Sequence, residues 1–286
     1  MNLVRRNPGP VLFAGTAVYR PAVSMAAAFL IVWVGWAAPE AARCAPGSGN
    51  APGVSLRKDV PIAAASLLLL GGGYALARRV EPVREALTSR ESILWPDRPF
   101  LRGYSQDWWV VSDVSALAAL SAPWVLLRFA GGAGGGGGRA ALETAVLYLE
   151  TLSAVGGLRY LTGGVMPRAR PYAYFAETPA EMLSSRKSRV SFFSGHAAAA
   201  FAAAELTRRL AKARGADTWP GWTAYGFAAV TAVARVAGGA HFPTDVVVGA
   251  VAGIATAHLI VNLHEEKEPR VCFGATPRGI MLRFSY

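Results

Sequence analysis

Charged residues are scarce in this chain: they make up 16% of 286 residues against 53% hydrophobic, where soluble domains run near about 25% charged. Such a composition excludes a disordered or collagen-like chain and leans toward a membrane protein. Cysteine is rarer still. Cys44 and Cys272 are too few for a disulfide framework and have no metal-ligand spacing. Two free thiols is the plainer reading, and a single bridge in an oxidising compartment is the alternative. A phosphate-cradling nucleotide loop is also missing. The glycines from Gly131 to Gly138 are broken only by Ala133, but Arg139 and an Ala-rich segment follow where such a loop needs Lys and then Ser or Thr. The run reads as a linker between helices.

Basic residues outnumber acidic ones by 29 to 18, giving a net charge of +11. That excess suits nucleic acid, anionic lipid or a phosphate-bearing substrate. No nucleic-acid-binding motif is present, and the basic residues flank apolar segments instead of forming one stripe, so nucleic acid is set aside. Seven apolar stretches approach the roughly 20 residues that a bilayer of about 30 Å requires. They are Pro21 to Ala38, Val60 to Ala77, Trp108 to Ala130, Ala140 to Leu158, Phe193 to Leu210, Trp219 to Gly238 and Asp245 to Leu263. The first follows Arg5, Arg6 and Arg20 and reads as either a secretory signal or a retained anchor. The expected organisation is an all-α helical bundle, integral to the membrane. Residues 1–59 form the signal-like or anchor segment and linker, 60–264 a bundle of six core helices, and 265–286 a C-terminal tail.

Several polar residues interrupt these stretches. Glu143 and Glu150 are seven apart and share one helix face, where they are expected to pair with arginines or meet water at an interface. Arg78 to Gln106, with two prolines and with Trp95, Phe100 and Tyr104, suits a loop or short helices at a membrane surface. His258 and His264 have no partner pattern and read as structural or interfacial.

The chemistry-bearing residues gather at helix ends. Ser194, Gly195 and His196 stand directly before an Ala-rich helix, whose unpaired N–H groups and dipole suit an anion; Gly195 would let backbone approach a ligand. Arg235, His241 and Asp245 surround the junction of two apolar helices. A carboxylate four residues after an imidazole either accepts its ring N–H and orients it for attack, or simply caps the next helix. Upstream, Arg168-Ala169-Arg170-Pro171 offers guanidinium forks matched to phosphate oxygens.

Taken together, these segments resemble the type 2 phosphatidic acid phosphatase superfamily, which includes lipid phosphate phosphatases, bacterial acid phosphatases and vanadium haloperoxidases. Its motifs are Lys-x6-Arg-Pro, Pro-Ser-Gly-His and Ser-Arg-x5-His-x3-Asp. The resemblance covers about Val60 to Leu263, with the motif residues between Arg159 and Asp245. Three positions depart from the pattern. Ala234 stands for Ser, Phe193 for Pro, and Gly163 occupies the place of the Lys. The helix is expected to finish near Arg159, and with about four extra loop residues before Arg168 it is Arg159 that is expected to supply that cation.

The resemblance implies His241 as nucleophile, forming a phosphohistidine, with Asp245 as its orienting acceptor and His196 as acid and then base. It implies that Arg159, Arg170, Arg235, Ser194 and the Gly195 N–H bind the phosphate, and it calls for no metal and no cofactor. The implied substrate is a lipid phosphate, with a polyprenyl diphosphate or a phosphatidate-type lipid ranked first. Arg208, Arg209, Lys212 and Arg214, read as a short loop opposite the site, favour a bacterial inner membrane with the site facing the periplasm. Seven spans would instead put the basic N-terminus on the site's own face, so the number of spans, six or seven, stays open. Two other readings also stay open: a periplasmic acid phosphatase or vanadate-dependent haloperoxidase on the same fold, and a lipid-binding membrane protein without catalysis.

Overall fold

The computed structural model describes residues 52–129, 137–265, 270–276 and 279–285, the last two segments as backbone. The first apolar stretch, Cys44 and glycines 131–136 lie outside the described residues. Six long helices occur among those described: α1 (Leu56–Ala77), α2 (Gln106–Phe129), α3 (Gly138–Val165), α4 (Gly195–Ala213), α5 (Trp219–Ala237) and α6 (Pro243–His264). They agree with the expected six-helix core. The helix expected to end near Arg159 continues to Val165, which brings Gly163 onto the same helix as Arg159. In the C-terminal tail, β1 (Arg270–Thr276) and β2 (Gly279–Ser285) form an antiparallel hairpin with Arg270 opposite Ser285.

The centre of the bundle is α4, which packs against α2, α3, α5 and α6. Alanine is the strongest helix former and has the smallest side chain that still excludes glycine's freedom. Ala197, Ala198, Ala200, Ala202, Ala203 and Ala204 are all buried, so neighbouring helices approach closely on several sides. The tightest approach is at Gly253 of α6, where a Cβ would fall 2.1 Å from the Ala198 carbonyl oxygen. On the flank, α1 packs along α3, and Gly73 lies against the backbone of Gly157 and Leu161.

Among the described residues, α1, residues 106–128 of α2, and α6 are long and apolar enough to cross a membrane. Their outward faces carry exposed Leu67, Leu68, Val114, Val247 and Val251. The central α4 carries charge instead: Glu205 is buried, Arg208 and Arg209 are half-buried and Lys212 is exposed. The four cations read as a loop are in fact the last turns of α4 and its C-cap. Arg208 pairs with Glu205 at 2.7 Å, Arg209 pairs with Glu265 at 2.5 Å, and Arg214 donates to Thr144 Oγ1 at 2.8 Å. Of the two glutamates expected to pair with arginines, one needs correction. Glu143 does meet Arg139, at 3.0 Å, whereas buried Glu150 meets His264, at 3.3 Å.

Because the helices alternate in direction, the C-terminal ends of α1, α3 and α5 share one end of the bundle with the N-terminal ends of α2, α4 and α6. The segment 78–105, including a 3-10 turn at Trp95–Phe100, lies at this end. So do the short turns Pro171–Tyr174, Ala180–Ser184 and Arg186–Arg189 between α3 and α4. All the candidate site residues are gathered there.

Candidate active site

His241 follows α5 through a glycine turn. Gly239 has φ +66°, a left-handed conformation that costs L side chains energy, and a Cβ there would strike the Gly103 carbonyl oxygen at 2.3 Å. The turn leaves His241 with 1% of its surface exposed. Its Nδ1 faces Asp245 Oδ2 at 3.8 Å and Ser191 Oγ at 3.5 Å. The first distance is too long for a hydrogen bond. Ser191 lies between the two, donating to Asp245 Oδ2 at 2.6 Å.

Asp245 also caps α6, as its Oδ2 accepts the Phe242 N–H at 2.9 Å. Its other oxygen takes Arg168 Nη1 at 2.5 Å. One fully buried carboxylate thus caps α6 and also meets Ser191 and Arg168. Arg168 is held from its other side by Asp97 Oδ2 at 2.6 Å and stacks on the Phe242 ring, 4.4 Å from its centroid. Asp97 accepts from Thr244 as well, from its backbone N–H at 3.1 Å and its hydroxyl at 2.6 Å. The loop before α2 is thereby tied to the start of α6.

His196, on the first turn of α4, is partly exposed and has its own carboxylate: Nε2 lies 3.3 Å from Asp113 Oδ1. Asp113 also lies 3.5 Å from Arg235 Nη1. Arg235 is buried, donates to Ser112 Oγ at 3.1 Å and stacks on Trp109, 4.6 Å from the ring centroid. Arg170 is likewise buried, its Nε donating to the Lys187 carbonyl at 2.7 Å. Ser194 caps α4 by accepting the Ala197 N–H at 3.4 Å, and its own N–H donates to the Asp245 carbonyl at 2.9 Å. That bond joins the starts of α4 and α6 and with them the two histidines.

The departure at Gly163 has a steric explanation. A Cβ at residue 163 would lie 2.7 Å from Arg159 Nη1, and one at Gly195 would lie 3.2 Å from Arg159 Cδ. The guanidinium thus fills the space a side chain at 163 would take, running between two glycines. Gly195 makes room for Arg159 as much as for any ligand. Arg159 Nη2 donates to the Val190 carbonyl at 2.6 Å, while buried Nη1 has no hydrogen-bond partner among the described residues. A buried donor of that kind is ready for an anionic oxygen.

Electrostatics follow from this crowding of cations. Burial, then the charge of Arg170, holds the His241 imidazole well below 6.5, against a partial pull upward from Asp245. Partial burial, then Arg170, Arg235 and Arg159, lowers the Lys187 ammonium. Lys187 therefore belongs to the same positive field.

The structure brings all eight expected residues to one end of the bundle: His241, His196, Asp245, Arg159, Arg170, Ser194, Gly195 and Arg235. Sequence reasoning missed Asp97, Asp113, Lys187 and Ser191 as members of the network, and it read Arg168 as a fork for phosphate where the structure pairs it with Asp97 and Asp245. Ser191 and Lys187 stand close before Ser194, so proximity was an available signal. Asp97 and Asp113 are distant in sequence and carried none beyond being acids in or near apolar segments.

The Arg159 arrangement makes a first prediction. Gly163→Ala should displace the guanidinium and lower turnover by about tenfold, and Arg159→Ala by about a hundredfold, the scale of one lost transition-state donor. The double variant Arg159→Ala with Gly163→Lys should recover much of the loss. Steady-state phosphate release compared with thermal unfolding separates this from misfolding, and a fully active Arg159→Ala would remove Arg159 from the site.

Residues 144–269 match the PAP2 superfamily. No curated protein and no solved structure matches the chain.

Proposed function

Given that residues 144–269 form a PAP2 superfamily domain, with the phosphatase-type chemistry this supports, we propose that the protein hydrolyses a lipid phosphate or diphosphate through a phosphohistidine on His241. The observation that carries this reading is that each histidine has its own carboxylate within one arginine cluster. His241 faces Asp245 at 3.8 Å and His196 faces Asp113 at 3.3 Å.

The steps follow from these roles. With Nδ1 turned toward Ser191 and Asp245, Nε2 of neutral His241 attacks phosphorus. A P–N bond forms as the bond from phosphorus to the leaving oxygen breaks, and His196 gives that oxygen its proton. Water then attacks the phosphohistidine, passing a proton to His196 as the P–N bond breaks, and inorganic phosphate leaves. Arg159, Arg170 and Arg235, with Ser194, the Gly195 N–H and Lys187, hold the three non-bridging oxygens as charge shifts. Asp113, 3.3 Å from Nε2, opposes the burial and the Arg235 charge that lower the His196 imidazole.

A lipid substrate fits the surroundings. Leu94, Trp95, Phe100, Trp108, Val165 and Met166 are exposed around the site's end of the bundle, and Trp219 and Trp222 are exposed at the opposite end. Aromatic residues at both ends of an apolar bundle suit the two interfaces of a bilayer. A polyprenyl diphosphate and a phosphatidate-type lipid lead the substrate list. An inner-membrane location with the site facing outward is part of the same proposal.

The test is phosphate release by the full chain purified in detergent, without added metal, across a panel of lipid phosphates and a soluble phosphomonoester. Turnover of a lipid substrate at least tenfold above the soluble ester supports the proposal. Preference for the soluble ester, or halide oxidation on adding vanadate, supports the relatives of that kind instead. Lipid binding without release would mark a non-catalytic protein. The pH profile is a second check. The nucleophile must be unprotonated, and its imidazole is held well below 6.5, so the acid limb of kcat/KM assigned to His241 should fall below pH 6.5. A limb that belongs to His241 and lies above 6.5 would contradict the burial argument.

A further inference from the structure

At the opposite end of the bundle, Asp59 in the first turn of α1, Glu150 within α3 and His264 at the last residue of α6 converge on one point. All three are buried, with 8%, 4% and 0% of their surface exposed. One ligand atom from each lies within 4.8 Å of the other two. His264 Nε2 is 2.7 Å from Asp59 Oδ1 and 3.3 Å from Glu150 Oε2. His264 Nδ1 lies 2.8 Å from the Ile260 carbonyl. A carbonyl only accepts, so Nδ1 carries the hydrogen and Nε2 is the atom turned toward the two carboxylates.

The oxygens around Nε2 are poorly satisfied by protein alone. Among the described residues, neither oxygen of Glu150, nor Asp59 Oδ2, has a hydrogen-bond partner. A proton on Nε2 would serve Asp59 Oδ1 and leave the Glu150 carboxylate buried and uncompensated, which is costly. A divalent cation among the three atoms would instead balance both carboxylate charges and use the lone pair of neutral His264. The Nδ1–H bond to a backbone carbonyl is the outer-shell contact that fixes the tautomer of a metal-bound imidazole.

We propose that Asp59, Glu150 and His264 form a structural site for a first-row divalent cation of the zinc type. One imidazole nitrogen and two carboxylate oxygens suit such an ion, and small movements would bring them to the usual distances of about 2.0–2.2 Å. The site has few oxygens for calcium, and its imidazole disfavours magnesium. Its role is mechanical. Helix α1 packs chiefly along α3, and the cation would fasten the start of α1 and the end of α6 to it. The Gly53 N–H, donating to the His264 carbonyl at 3.1 Å, ties the same junction. Along α6, Asp245 and His264 are about 28 Å apart at 1.5 Å per residue, so the site is separate from the phosphate-binding end and does not depend on the proposed hydrolysis.

The experiment uses the full chain in detergent, equilibrated with zinc, manganese or iron(II) salts, freed of excess ion and assayed by elemental analysis and thermal unfolding. We expect about one zinc per chain. At free zinc near 100-fold above its Kd the unfolding midpoint should rise by about 5 °C or more, and a chelator should reverse the shift. Glu150→Gln and His264→Ala should each lose the bound zinc and its effect on unfolding. If either variant fails to fold, Asp59→Asn and the metal content of the wild type decide the matter. Wild-type protein with no bound metal above a buffer control, or a midpoint indifferent to zinc and chelator, overturns the proposal. So does stoichiometric zinc retained by folded Glu150→Gln and His264→Ala.

Discussion

His241→Ala should abolish steady-state phosphate release, with a loss of about 10⁴-fold or more, while leaving the unfolding midpoint within a few degrees of the wild type. The magnitude follows from removing the atom that forms the covalent bond, after which the remaining cations offer only binding and charge stabilisation. The ring is buried, and its Nδ1 lies 3.5 Å from Ser191 Oγ and 3.8 Å from Asp245 Oδ2, both long for a hydrogen bond. Stability should therefore change far less than activity. A partner experiment gives the assignment its direction. With an activated substrate that carries labelled phosphate and whose leaving group needs no proton, His196→Ala should accumulate labelled protein, because the second half-reaction lacks its base, whereas His241→Ala should never acquire label. The label should survive alkali and be lost in acid, as a phosphoramidate bond is. Labelling of His241→Ala would move the nucleophile elsewhere.

Asp245 should produce the other large effect, and it should appear in both stability and rate. Replacing it with alanine removes acceptors from Ser191, the Phe242 N–H and Arg168 together. Loss of one partner from a buried ion pair costs about 3–5 kcal/mol. Because Asp97 still holds Arg168 at 2.6 Å, the lower end, about 3 kcal/mol, is expected. Asp245→Asn preserves the volume and an oxygen for the helix cap, so its stability cost should be smaller. Its turnover should still fall by about 10³- to 10⁴-fold, as when an orienting carboxylate is neutralised beside a catalytic histidine. Ser191→Ala should fall between this variant and the wild type, since it removes the bridge and keeps the charge. Thermal unfolding and kcat measured on the same preparations test all three. Asp245→Asn retaining turnover within tenfold of the wild type would leave Asp245 as a helix cap only.

Much of the bundle was legible because helix periodicity and apolar length are local properties. The six described helices begin and end within a few residues of the apolar stretches read from composition, apart from α3, which runs past Arg159 to Val165. That overrun mattered. With the helix ended at Arg159, the missing lysine at position 163 was a defect to be repaired by a longer loop. With the helix continued, Arg159 and Gly163 are one turn apart on one face, and the arginine occupies the glycine's vacant side-chain space. The cations of α4 were misplaced for a related reason: charge in a short segment looks like a loop until its partners, Glu205, Glu265 and Thr144, are seen.

The class of the protein could be read from local sequence: an apolar, basic chain built on a helical bundle, with histidines, arginines and Asp245 at helix ends in the order that resembles a phosphatase family. These features depend on residues close together or on a spaced pattern within one stretch. The tertiary structure alone decided the partnerships across the chain. It paired His196 with Asp113 from another helix, set Ser191 between His241 and Asp245, and drew Asp97 onto Arg168. It also joined Asp59 to His264 across 205 positions. The physical reason is that burial makes the polar groups of distant segments seek one another, and which groups meet depends on how the helices pack, not on local spacing.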